Sequence, residues 1–110
     1  MLMPSIVLEE SDIDKAVREA AKEVTPDVQW IRYEIALDWS GDPAIYFRVI
    51  LSNDASREAR LAKVTKRVES FLTEKLNLDE SDLLSYFSYR SRAEQAALKE
   101  SAWESPNKQA

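Results

Sequence analysis

Along Ile31-Arg32-Tyr33-Glu34-Ile35-Ala36-Leu37-Asp38-Trp39 the odd positions are large and apolar, and the even ones are charged or small. That is the period of a strand with one buried face. After Ser40-Gly41-Asp42-Pro43, the run Ile45-Tyr46-Phe47-Arg48-Val49-Ile50-Leu51 again sets its strongest apolar residues on odd numbers. The segment from Trp30 to Asn53 is therefore predicted to be a β-hairpin. Facing residues of an antiparallel pair have a constant sum, and only an even sum puts both odd sets on one face. Pairing Trp39 with Ile45 and Tyr33 with Leu51 meets that condition.

Helical periods flank the hairpin. Ile13, Val17, Ala20, Ala21 and Val24 fall on one face of a first helix, which Ser11 can cap and which ends before Thr25-Pro26. Leu61, Val64, Val68, Phe71, Leu72 and Leu76 recur at intervals of three and four, predicting a long second helix with Asp54 as its N-cap and Asn77 as its left-handed end. Leu83 to Arg90 is short and aromatic enough for a third strand, and Ser91-Arg92-Ala93-Glu94 matches a capping box opening a third helix. At the N-terminus, Ile6-Val7-Leu8 fits an extended arm or a short edge strand.

The predicted order is α-β-β-α-β-α, a single α+β domain over residues 1–103 with a flexible C-terminal tail from 104 to 110. A right-handed crossover through the long helix sets strand three parallel to strand two. Placing it beside strand one makes every neighbouring pair antiparallel. We favour that order, because a purely antiparallel sheet suits one solvated face.

Composition narrows the chemistry. A chain of 110 residues buries roughly two thirds of the surface of its unfolded form, enough for one core. Fifteen basic and twenty acidic residues give a net charge of -5, which disfavours non-specific contact with nucleic-acid backbones. There is no cysteine and no histidine, so thiolate chemistry and the commonest general base and metal ligand are missing. We expect a protein that is not an enzyme and needs no cofactor. No apolar run approaches about 18 residues, so the expectation is a cytoplasmic protein without a membrane segment.

Three groups of residues invite a functional reading. The even face of the hairpin carries Trp30, Tyr46 and Ile50 among Arg32 and Arg48, a mixture of aromatics and arginine that is enriched at protein interfaces. These five are the candidate interaction surface. The bland alternative is that the third helix, with Leu98 and Trp103, folds over part of that face. Arg90, Ser91 and Arg92 concentrate positive charge at a helix start and are a candidate anion site; the competing account makes Ser91 a cap and pairs the arginines with acids. The acidic runs Glu9 to Asp14 and Asp79 to Asp82 lack the spacing and central glycine of a calcium loop, so no metal site is expected.

From Ile31 to Arg90, the hairpin, long helix and short aromatic strand resemble the arrangement of ribosome-binding factor A and its KH-like relatives. That resemblance implies a small RNA- or anion-binding domain. The chain departs from the pattern in its acidic balance, in the unbroken run from Val64 to Leu76, and in lacking a GxxG loop. It is also similar to small acidic bacterial proteins of unassigned function, some of them companions of a toxin or nuclease. The combined expectation is a non-catalytic protein-interaction module, either self-associating or an antitoxin-like acidic partner of another protein. An RNA or anion binder is the alternative.

Overall fold

The computed structural model describes residues 8–105. Its elements are α1 (Glu10–Glu23), β1 (Val28–Leu37), β2 (Pro43–Leu51), α2 (Glu58–Leu76), β3 (Leu84–Ser91) and α3 (Arg92–Leu98), with 3₁₀ turns at Leu78–Glu80 and Ser101–Trp103. The α-β-β-α-β-α order is the one expected. Ile6 and Val7 of the proposed arm, and 106–110 of the proposed tail, lie outside the described residues.

The hairpin pairs with an even sum, but not the one proposed. Tyr33 faces Phe47, Ile35 faces Ile45 and Leu37 faces Pro43, whereas Trp39 has left the ladder. The cause is a tight turn. Asp38 N–H donates to Asp42 O at 2.8 Å and Gly41 N–H donates to Asp38 O at 2.9 Å, so only Trp39, Ser40 and Gly41 make the loop. Gly41 sits at φ 88°, the positive-φ residue that a three-residue hairpin loop requires. Near its start β1 carries an irregularity between Val28 and Trp30, where an extra residue locally bends a strand.

The third strand lies beside β2, not β1. The sheet order is β1-β2-β3, with β1 and β2 antiparallel and β2 and β3 parallel, so the expected all-antiparallel sheet is corrected to a mixed one. Two aromatic stacks accompany the β2–β3 register. Phe47 lies on Phe87 at 4.9 Å between ring centroids on the odd face, and Tyr46 on Tyr86 at 5.2 Å on the even face.

The main core sits on the odd face. Ile31, Ile45, Phe47, Val49 and Leu51 meet the stripes Ile13, Ala16, Val17, Ala20 of α1 and Val64, Val68, Leu72, Leu76 of α2. Leu8 packs against this core as well. Helix α1 begins at Glu10 without a side-chain cap, rather than at Ser11. Helix α2 starts at Glu58, because Asp54 is used in the preceding turn: Arg57 N–H donates to its carbonyl, and its carboxylate meets Arg60. Asn77 ends α2 in the left-handed conformation, as expected.

The even face has its own smaller cover. Ser91 caps α3 through a complete capping box with Glu94. The buried member of that helix is Gln95, while Leu98 is 54% exposed, so Leu98 does not cover the sheet as proposed. Trp103 does: it is buried, its 3₁₀ turn lies against β2, and Trp30 Nε1–H donates to its carbonyl at 2.8 Å.

Candidate interaction surface

The turn fixes the far end of the hairpin. The Asp38 carboxylate accepts from Ser40 N–H (2.9 Å), Ser40 Oγ–H (2.7 Å), Asp42 N–H (3.0 Å) and Tyr86 O–H (2.9 Å). The Ser40 hydroxyl, with these other donors, outweighs burial and holds the Asp38 carboxyl down to about 2. The same contact raises the Tyr86 phenol. A side chain gripped by four donors makes the turn rigid, and the turn presents Trp39.

That residue is 92% exposed, with Leu37 at 67% and Ile35 at 43% behind it. All three carry odd numbers, the parity that is sealed at Ile31. Ile45, paired with Ile35 on the same face, is fully buried, so toward the turn the core covers β2 while the apolar pattern of β1 runs on exposed along the sheet edge. Isolated exposed apolar residues are ordinary, but two at the end of β1 followed by a third in the adjoining turn form a patch.

The backbone of β1 is open beside that patch. Asp38 and Asp42 form a hydrogen-bonded pair, so by strand alternation Ala36, Glu34, Arg32 and Trp30 turn their N–H and C=O groups toward β2. Ile31, Tyr33, Ile35 and Leu37 turn theirs outward. Among the described residues no strand pairs with that edge. A groove of about 500 Å³ runs along its first half, lined by α1 (Asp14, Val17, Arg18, Ala21, Lys22) and by residues 29–33. Tyr33 crosses to α1, where its hydroxyl donates to Asp14 Oδ1 at 2.8 Å; burial and Asp14 push that phenol up to about 12.

The five residues first proposed as an interaction surface divide. Ile50 is fully buried and belongs to the small even-face core, which corrects its assignment as a contact residue. Trp30 is half-buried with its indole N–H committed, Arg32 donates to Ser101 O at 2.9 Å, and Arg48 pairs with Glu34 at 2.8 Å. Tyr46 is half-buried under its stack with Tyr86. The structure brings these residues together, but most of their polar groups are already engaged. Odd parity places Ile35, Leu37 and Trp39 on the core face, yet all three are exposed; the turn glycine signals this for Trp39, which leaves the ladder, while Ile35 and Leu37 are paired but lie on the uncovered edge.

The candidate anion site is similarly occupied. Arg90 donates to Gln95 Oε1 at 2.9 Å, pairs with Glu100 and lies over the Trp103 ring at 4.2 Å. Arg92 donates to Gln29 Oε1 at 3.1 Å, Ser91 Oγ accepts from Glu94 N–H at 3.0 Å, and Ala93 N–H donates to Asn53 Oδ1 at 2.9 Å. Glu104, placed in the tail by the sequence, accepts from Gln95 Nε2 at 3.0 Å. Among the described residues no group of three acids, histidines or cysteines is placed to hold a metal, and no helix is long and apolar enough to cross a membrane.

No family model matches the chain, and neither does any curated protein. Among solved structures it is similar to one titled "MamM CTD - Copper form", at 15% identity and a TM-score of 0.53, over 76% of this chain and 85% of that one. The likeness is one of fold. It defines the class of the molecule as a small α+β domain whose mixed sheet carries helices, and it lends no residue a role.

Proposed function

We propose that this chain is a non-catalytic protein-interaction module whose contact surface is the far end of the hairpin: Ile35, Leu37, Trp39 and the open edge of β1. What carries this reading is Trp39. A tryptophan is the side chain most favoured as an interface anchor, and this one is almost wholly in water on a turn rigidified by Asp38. Beside it, unpaired strand amides offer the main-chain hydrogen bonds of β-augmentation. Binding RNA or another anion through Arg90 and Arg92 requires breaking contacts to Gln95, Glu100 and Gln29, so that alternative has less support.

A photo-crosslinking aromatic amino acid at position 39, which keeps a large ring at the anchor position, irradiated in extract of the native cell, tests the reading. Capture from position 39, with none from the same group at Lys63 on the exposed side of α2, is the expected result. Equal capture from both positions, or none from either, overturns it.

A further inference from the structure

We infer that the occupant of the β1 edge is a second copy of this chain, joined antiparallel through β1 about a two-fold axis at Ile35, so that two three-stranded sheets become one of six. The inference rests on the interaction reading above and goes further by naming the partner and the register.

The argument begins with which backbone groups are free. Outward amides and carbonyls belong to the odd residues of β1, and an antiparallel partner must meet them with outward groups of its own. A second β1 supplies the same set. Centred on Ile35, the pairing sets Ile35 against Ile35 and Tyr33 against Leu37 of the second copy, and it keeps every odd side chain on one face.

Charge and shape then select this register among its neighbours. On the even face Glu34 meets Ala36 of the second copy, and Arg32 comes level with its Asp38, so no like charges are directly opposed. An axis at Glu34 sets that acid against itself, and an axis at Ala36 sets Glu34 against Asp38; like charges directly opposed are destabilising. An axis at Tyr33 runs Leu37 onto Gln29, where β1 is irregular. An axis at Leu37 stops Trp39 at Ile35 and leaves the groove empty. With the axis at Ile35, Leu37 faces Tyr33, and the turn that carries Trp39 beyond the strand end reaches toward the first half of the partner's β1, where the groove between α1 and β1 lies. An exposed aromatic in the turn at one end of β1 and a groove of about 500 Å³ along its other half thus lie on either side of Ile35. Each copy presents both, as an isologous two-fold contact demands.

The cysteine-free chain makes the test direct. At the axis, facing Cα atoms of a hydrogen-bonded pair stand about 5.5 Å apart, within reach of a disulfide. Ile35→Cys, oxidised with copper-phenanthroline at low protein concentration, is expected to form a linked dimer at least about tenfold faster than Lys66→Cys on α2, and adding Trp39→Ala is expected to slow it by about tenfold. As a check independent of position 35, a mixture of Glu34→Cys and Ala36→Cys chains is expected to link to each other faster than either links to itself. Unmodified protein should show the mass of two chains by sedimentation equilibrium. Equal linkage from Ile35→Cys and Lys66→Cys in a protein that is dimeric overturns the β1 register while leaving the interaction reading standing. A chain that stays monomeric to about 1 mM overturns the second copy; capture of a different protein from position 39 then upholds the interaction reading alone.

Discussion

Asp38 is the residue on which the exposed end of the molecule depends. Its folded carboxyl titrates near 2, against about 3.9 in an unfolded chain, so between these values the unfolded state binds more protons. The stability it confers is present above about pH 4 and is lost as the pH falls toward 2. Asp38→Asn keeps the shape but removes the charge that four donors surround. Urea midpoints measured across the acid range should show wild type ahead of the variant at neutral pH, with the difference closing between about pH 4 and pH 2; a constant difference would contradict the assignment. The same turn shows how far single residues could be read from the sequence. Odd parity correctly marked Ile31, Ile45, Phe47, Val49 and Leu51 as core. It misplaced Trp39, because one positive-φ glycine shortened the loop and pulled that residue out of the strand.

At the scale of elements, the long helix and its left-handed end at Asn77 were legible, since a stripe sustained over about four turns and a cap residue are local signals. The capping box of α3 was equally plain. Which side of α3 is buried was not. A helix of seven residues takes its buried side from whatever it packs on, and here a polar Gln95 is turned inward to serve Glu100 O and Glu104. The apolar cover comes from Trp103 instead. Trp103→Ala should cost about 3–5 kcal/mol in urea unfolding, whereas Leu98→Ala, more than half exposed, should stay within about 0.5 kcal/mol. The reverse ranking would show that the C-terminal turn is not part of the fold.

For the whole molecule, the order of elements was readable and the place of β3 was not. A crossover rule gives the direction of the third strand, but both edges of a two-stranded hairpin are open to it. Its choice of β2 leaves β1 as an edge, and with it the surface proposed for function. Because Ile35, Leu37 and Trp39 are exposed rather than in the core, folding and association should separate. Trp39→Ala is expected to leave the unfolding free energy within about 0.5 kcal/mol of wild type while weakening association by tenfold or more. A matching loss in both would assign Trp39 to the fold. The C-terminal segment behaves in the opposite sense. Trp30, Arg32 and Gln95 hold it by the main-chain carbonyls of Trp103, Ser101 and Glu100. A grip on carbonyls is indifferent to which side chains stand at 101 and 102, so those positions are free to drift by substitution. It does depend on the count of residues. One inserted amino acid would throw the acceptors out of phase with their donors, making this stretch permissive to spelling and strict about length.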